Sequence, residues 1–534
     1  MSVNVGMYDY LMHNFEEKKD ACAMSFLHRN FSYAFMADEI QRVAAFLKKL
    51  GIKKGDCVTL ALPNIPSAVT AFYAVNLLGG VANMVHPLVP YEVLKEYMTK
   101  ANSKLLFAFD ILLDGYFDKL EKDGFDVVVC RANDYLNGFE SFFYSVFGKK
   151  KCRNIGRCHT FKSAQKTKPE ALSCVSQGND TAVIMHSSGT TEKSKSVCLS
   201  NEQLNNIAEK TIEILPWKKK TGIGLASLTV LPLFHAFGLG VCIHTVLSYG
   251  YESVMIPKYT TKLIVKKMRR KNVAVIAGVP TMFAGMVNQK GFDGKHLKKL
   301  KFAFCGGDAL NEKIKKRFDE TVEKNGGSCL LDEGYGLTET AGVFSVNTRE
   351  NNKQGSVGKP LGDGCAIVTD ENGNLLPPYT VGEICLSTIS VMQGYLTENG
   401  QDKNTLFEKD GKTFVKTGDL GYLDEEGFIF FKQRLKRVEK VSGVNVFPAE
   451  AEKVLSELEG VKACFVKGVD DERKGKVLKA FVLKEDGFNE RELEEKLRKT
   501  ATEKLDKWTQ PKYYQFIEKV PVNKFGKTDY SKLR

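Results

Sequence analysis

The sequence predicts an α/β protein. A large N-terminal domain, 1–435, has mostly parallel sheets flanked by helices, and a small α+β domain, 436–534, follows it. Three observations carry that reading. At 534 residues the chain exceeds what one ordinary core supports. Over most of its length, strand-like apolar runs alternate with helix-like segments, the pattern of parallel sheets covered on both faces. Near residue 435 the texture changes to highly charged helical segments between short strands, over about a hundred residues.

The elements follow in chain order. A helix is expected over 37–50 and an apolar strand over 57–62. Strands over 183–185 and 197–199 flank a polar loop, and Ser200 with Gln203 three residues on is a capping box that opens the next helix. Residues 221–251 contain no Asp, Glu, Lys or Arg. Histidines, glycines, hydroxyls and Pro232 interrupt that stretch, so a buried strand, turn and helix is expected rather than a membrane span. A basic helix ending near Lys271 leads into a strand over 273–277, and a strand over 301–304 leads into a helix over 311–325. In the last domain, helices over 449–458 and 489–505 alternate with strands over 464–469 and 477–483.

Composition narrows the function. Thirteen cysteines, an odd number without a C-x-x-C pair, suit a reducing compartment, and with no basic-then-apolar leader a cytoplasmic location is expected. Cys152, Cys158 and His159 lack the second ligand pair of a structural zinc site. The net charge of +13 comes with no zinc-finger, helix-turn-helix or RNA-binding signature, so no nucleic-acid partner is expected. Attraction to polyanionic small molecules, or weak peripheral contact with anionic lipid, uses the charge more economically.

The chemistry gathers in a few motifs. His186–Ser200 packs Ser187, Ser188, Thr190 and Thr191 around Gly189 and then offers Lys193 and Lys195. It reads as a phosphate cradle, yet it lacks the G-x-x-x-x-G-K-[ST] spacing of the common nucleotide loop, as do Gly411-Lys412-Thr413 and Gly526-Lys527-Thr528. Gly306-Gly307 after an apolar strand lets a flat ligand approach the backbone. Tyr335-Gly336-Leu337-Thr338-Glu339 offers an aromatic face, a hydroxyl and a carboxylate suited to Mg²⁺. Thr417-Gly418-Asp419 supplies an acid that could grip two ribose hydroxyls, and Arg434 and Lys436 follow.

With Phe31-Ser32-Tyr33, Lys54-Gly55-Asp56, Leu62-Pro63-Asn64, Leu231–Gly238 and Pro521–Lys527, these motifs resemble the adenylate-forming superfamily of acyl-CoA synthetases, peptide adenylation domains and luciferases. The resemblance covers nearly the whole chain. It implies ATP, Mg²⁺ and coenzyme A as cofactors and a mobile C-terminal domain. Ser187, Ser188, Gly189, Thr190, Thr191 and Lys195 would hold the β- and γ-phosphates, and Tyr335, Gly336, Gly306 and Gly307 the adenine. Asp419 and Arg434 would hold the ribose, Thr338 the α-phosphate and Glu339 the metal. His235 would gate the acyl tunnel, and Lys527 would be the catalytic lysine. Lys436 would be the hinge, with Gly443 in the loop that lines the thiol channel.

The chain departs from the family pattern at Glu192, Ser194 and Ser196 in the loop, at Thr388 and Gln433 where glycine is usual, and at Arg437 past the hinge. No acid follows Pro232-Leu233-Phe234, and Phe237, Leu239, Val241 and Cys242 are apolar, so a fatty or aromatic acid is expected rather than an amino acid. Two alternatives stay open: an adenylating enzyme that loads a carrier protein, and a non-catalytic nucleotide-binding homologue. The sequence leaves the oligomeric state unspecified.

Overall fold

Short apolar strands separated by helices assemble into two largely parallel sheets, because parallel neighbours cannot be joined by a tight turn and need a crossover. The computed structural model describes residues 2–113, 115–136, 158–187, 194–215, 221–441, 444–471, 475–521 and 528–533. One sheet is ordered Gly400–Asp402, Gly394–Thr397, Ser196–Ser200, Thr181–His186, Val81–Met84, Cys57–Ala61, Ser103–Phe109, Asp126–Cys130, Cys158–Thr160. From Thr181–His186 onward its pairings are parallel, and the other edge is antiparallel. In the second sheet Leu331–Tyr335, Phe302–Cys305, Val273–Gly278, Ala226–Thr229, Glu252–Met255 and Cys22–Phe26 pair in that order, all parallel. One buried cluster joins the two sheets, with Phe26 and Met255 from one and Leu60 and Phe107 from the other. The crossover helix Pro66–Leu77 is buried on all sides, which its charge-free, mostly apolar sequence allows, and Asn76 is satisfied by donating to Asn201 Oδ1 at 2.6 Å and accepting from Tyr8 N at 2.9 Å.

The α/β expectation holds, and local signals set several boundaries. Ser32 caps the helix Tyr33–Lys49 by accepting from Phe35 N at 3.1 Å, which gives Phe31-Ser32-Tyr33 a structural purpose. The Ser200–Gln203 capping box is formed in both directions. His159 packs edge-on against Phe46 at 5.6 Å; Cys152 lies outside the described residues. Among the described residues no helix is long and apolar enough to cross a membrane.

Two features differ from the sequence expectation. Instead of continued alternation, residues 365–434 form an antiparallel sheet of Cys365–Thr369, Gly382–Ser387, Lys412–Leu423 and Leu406–Lys409, with Ile429–Arg434 paired to Lys412–Leu423. Asp410 and Gly411, at φ +50° and +70°, make the two-residue hairpin turn that such pairing needs. The charge-free stretch does give a strand, Ala226–Thr229, but the following helix is a π-helix over Phe237–Thr245. A Cβ on Gly238 would lie 2.0 Å from Pro232 O, so the wide first turn wraps onto the preceding loop.

The C-terminal strands Val461–Asp471 and Gly475–Lys484 pair antiparallel, and Tyr513–Phe516 adds to them in parallel. Helices Pro448–Ser456 and Glu490–Lys504 close a separate core containing Leu455, Val466, Ala480 and Leu497.

One buried carboxyl makes stability depend on pH. Asp332 is 7% exposed, its Oδ1 has no hydrogen-bond partner, and burial pushes its carboxyl up to about 7. The folded state therefore keeps a proton that the unfolded chain releases. Its stabilisation is complete below the ordinary carboxylate range and is lost as pH rises towards neutrality. Asp332→Asn should raise stability by about 2–4 kcal/mol near pH 8 and change it little near pH 3. Thermal melts at the two pH values check this, and an equal shift at both would refute it.

Candidate active site

Ala226–Thr229, Phe302–Cys305 and Leu331–Tyr335 run parallel in one sheet, so the segments after their C-terminal ends open on the same edge. These segments carry His235, Gly306-Gly307 and Gly336–Glu339. A Cβ on Gly306 would stand 3.4 Å from Gly334 O and 3.5 Å from the Phe237 ring, and the glycine keeps that shelf open. Gly336 answers to packing as well, since a Cβ there would lie 2.5 Å from Gly342 O.

Tyr335 donates its hydroxyl to Asp419 Oδ2 at 2.6 Å. Asp419 is fully buried on Lys412–Leu423, directly opposite Arg434 on Ile429–Arg434, whose Nε lies 2.9 Å from Asp419 Oδ1. Burial pushes the Asp419 carboxyl above the usual carboxylate range, and Arg434 and the Tyr335 hydroxyl pull part of that back. The turn before Asp419 is fixed by Gly418, at φ +70°, whose N donates to Glu383 Oε1 at 2.9 Å.

The polar loop is anchored at its base. Ser187 N donates to Lys195 O at 2.8 Å, and Lys195 N donates to Ser187 Oγ at 3.2 Å. Ser194, a departure from the family pattern, donates its hydroxyl to Ser187 O. Beneath, His186 stacks on Tyr97 at 3.6 Å and contacts Asn83 Oδ1 at 2.8 Å and Ser196 Oγ at 3.1 Å. Burial lowers this imidazole to about 3, so it is a neutral prop. Ser188, Gly189, Thr190, Thr191 and Glu192 lie outside the described residues, as do Gly443 and Lys527.

A tyrosine that the motifs did not single out links the loop to the carboxylate. Lys195 Nζ sits 4.4 Å over the Tyr395 ring, and the Tyr395 hydroxyl donates to Glu339 Oε1 at 2.8 Å. Tyr395 reaches this position because Gly394–Thr397 pairs antiparallel with Ser196–Ser200, placing it opposite Val197. Glu339 and Thr338 are half-buried on the short turn Thr338–Thr340, which the Thr340 hydroxyl closes by accepting from Leu337 N at 3.2 Å. Glu339 Oε2 takes no part in that bond, and among the described residues no group of three His, Cys, Asp or Glu could hold a metal ion. A single carboxylate fits Mg²⁺ held mainly by phosphate oxygens, and it does not fit zinc.

His235 is half-buried, with its ring 4.9 Å from Phe234. Asn64 of Leu62-Pro63-Asn64 holds this segment, donating Nδ2 to Thr229 O at 3.1 Å and Leu231 O at 3.0 Å and accepting from Leu233 N at 3.1 Å. Leu239, Val241 and Cys242 belong to the main core, and of the four apolar residues Phe237 alone is partly open.

Lys436 lies on the exposed turn Leu435–Arg437. Its neighbour Arg437 turns the other way, donating to Glu452 Oε1 at 2.7 Å with its guanidinium 3.9 Å from the Tyr530 ring. Thr388 donates to Asp363 Oδ2 at 3.0 Å. Gln433 is buried and accepts from Ala449 N at 3.4 Å, in the first turn of Pro448–Ser456, beside the Lys432–Glu450 ion pair at 2.9 Å. It serves a helix N-terminus that has no side-chain cap of its own. Because Gln433 Nε2 is an unpartnered buried donor, Gln433→Leu should leave global stability nearly unchanged. Hydrogen exchange at Ala449 should nevertheless quicken about fivefold, matching a lost bond of about 1 kcal/mol. Unchanged exchange at that amide would refute the cap.

The chain is similar to known proteins over nearly its whole length. The model of the AMP-binding enzyme family matches residues 11–396, and that of the AMP-binding enzyme C-terminal domain matches 450–527. A long-chain-fatty-acid–CoA ligase of Bacillus subtilis (strain 168) is 30% identical over 519 residues, 95% of this chain and 90% of that protein. A probable 4-coumarate–CoA ligase 3 of Dictyostelium discoideum is 31% identical over 523 residues, 93% of this chain and 89% of that one. The ATP-bound RpMatB-BxBclM chimera B1 superposes with a TM-score of 0.85 at 25% identity, over 99% of this chain and 98% of its own.

Proposed function

Because this chain belongs to the AMP-binding enzyme family, we infer that it is an AMP-forming acid–thiol ligase, an acyl-CoA synthetase. The observation that carries the site assignment is a pair of contact clusters, drawn from three sheets, around the C-terminal end of Leu331–Tyr335: Tyr335–Asp419–Arg434, and Lys195–Tyr395–Glu339. The first offers a ring and a carboxylate to a nucleoside, and the second offers a cation and a carboxylate to its phosphates.

In the first half-reaction the substrate carboxylate oxygen attacks the α-phosphorus of ATP, and the bond to the pyrophosphate oxygen breaks. The carboxylate is already ionised at neutral pH, so no general base is needed. The barrier is the in-line approach of two anions, and positioning with charge neutralisation lowers it. Lys195, the Ser187–Thr191 loop donors and Lys527 supply that field, with Thr338 at the α-phosphate. Mg²⁺, when bound through Glu339, would neutralise phosphate charge. In the second half-reaction the CoA thiolate attacks the acyl carbonyl, the carbon–oxygen bond to phosphate breaks, and AMP leaves. We place the division between the domains at 435/436, with Lys436 as the pivot and Gly443 in the segment lining the thiol channel. The acid is of the fatty or aromatic class, for which His235 and Phe237 would form the entry.

An acid panel from acetate to oleate, with benzoate and cinnamate, tests the reading by pyrophosphate release and thioester formation. Acid-dependent release with CoA thioester is expected. Release without thioester identifies a carrier-loading enzyme, and no release with any acid identifies a non-catalytic homologue.

A further inference from the structure

Part of the +13 charge is concentrated on the helix Thr261–Arg270, none of whose residues belongs to the site above. Ile264, Val265 and Met268 form its buried stripe. Lys262, Lys266, Arg269 and Arg270 recur at helical spacing on the exposed side. The helix has no acidic residue, and among the described residues no carboxylate is paired with any of these four. A Cβ on Gly291 would stand 3.4 Å from Arg269 Nη1, so the segment bearing exposed Lys295, Lys298 and Lys299 lies alongside.

On the other flank the helix is tied to the first hairpin. Lys267 Nζ donates to Leu27 O, and Lys271 Nζ donates to Asn30 Oδ1 at 2.9 Å. That hairpin pairs Phe26 with Arg29, so Leu27 and His28 form its turn. Leu27 holds φ +55° and is 39% exposed. Folding alone favours glycine or asparagine in that conformation, and a leucine there costs stability. The result is an aliphatic tip flanked by Arg29 and Lys267, while Lys271 is paired with Glu252 Oε1 at 2.5 Å.

We propose that this face docks the protein on an anionic lipid surface, with the cations in the headgroup layer and Leu27 entering the interface. Charge complementarity selects a polyanionic surface, and Leu27 separates lipid from nucleic acid. An aliphatic tip gains by leaving water for lipid, and it finds no partner on a phosphate backbone.

Co-sedimentation of the full-length protein with vesicles of phosphatidylglycerol and phosphatidylcholine in equal parts tests this, with pure phosphatidylcholine as comparison. Binding is expected only to the anionic vesicles, and it should fall steeply between about 50 mM and about 500 mM salt. At about fivefold per cation, the fourfold Lys262→Gln, Lys266→Gln, Arg269→Gln, Arg270→Gln variant should bind at least ~100-fold more weakly. Leu27→Gly relieves the backbone, so its thermal stability should hold or rise while vesicle affinity falls about tenfold. Both variants should keep wild-type acid-dependent pyrophosphate release without vesicles. Three results overturn the proposal: no wild-type binding to anionic vesicles at low salt, unchanged binding by the fourfold variant, or tighter binding to duplex DNA than to vesicles at matched salt.

Discussion

Lys527→Ala should lower acyl-adenylate formation by about three orders of magnitude while leaving thioester formation from supplied acyl-adenylate within a few-fold of wild type. The asymmetry follows from where charge meets charge. In the first half-reaction an anionic carboxylate approaches an anionic phosphorus centre, and a lysine at the encounter point is worth most there. In the second, a thiolate meets a carbonyl whose leaving group, AMP, is already good. The chain on either side of Lys527 is pinned: Asp529 N donates to Pro521 O at 2.9 Å, and Lys467 Nζ donates to Leu533 O at 2.9 Å. Stopped-flow measurement of each half-reaction separates the two rates. Equal loss in both would remove Lys527 from the role assigned to it.

Asp419→Ala should raise the ATP KM by at least ~100-fold, because it removes a charge-assisted acceptor and unsettles its two partners. The Tyr335 hydroxyl would lose its acceptor inside the protein, and Arg434, about half exposed, would turn to water. The expected stability loss is therefore modest for a buried carboxylate, about 1–2 kcal/mol. Asp419→Asn is the informative companion. Its amide oxygen can still accept from Tyr335, so stability should hold while the ATP KM rises about tenfold. Wild-type stability also carries the raised Asp419 carboxyl, whose favourable contribution fades as pH rises through its folded value. Relative to wild type, Asp419→Asn should thus fare better in alkaline than in acidic melts. A KM within twofold of wild type in the alanine variant would refute the ribose assignment.

Local chemistry made much of the fold legible. The Ser200–Gln203 box, the apolar runs at Thr181–His186 and Ser196–Ser200, and the charged helices after residue 435 are patterns within one element. The site was legible to the extent that its motifs are contiguous. Gly306-Gly307 and Tyr335–Glu339 are brought together by a parallel register, as adjacent strand ends would suggest, and Asp419 joins them from an antiparallel strand through its bond to Tyr335. Tyr395 was not legible, because its place over Lys195 depends on an antiparallel register with Val197, almost two hundred residues earlier. The same holds for Asn64, whose hold on the His235 segment joins chain positions far apart. The π-helix escaped because a pattern of apolar residues does not reveal that Gly238 abuts Pro232 O. Gln433 read as a defect in a motif, and its contact with Ala449 gives it a structural role.

The central claim is that the acid is activated as an acyl-adenylate, and the fate of its carboxylate oxygen tests that claim most directly. An acid from the panel that supports turnover, labelled in both carboxylate oxygens with oxygen-18, is supplied with ATP and CoA, and the products are weighed by mass spectrometry. Attack on the α-phosphorus followed by thiolysis leaves one labelled oxygen in AMP and one in the acyl-CoA, with none in pyrophosphate. That is the predicted result. Label in inorganic phosphate with ADP as co-product, or unlabelled AMP, would contradict the account.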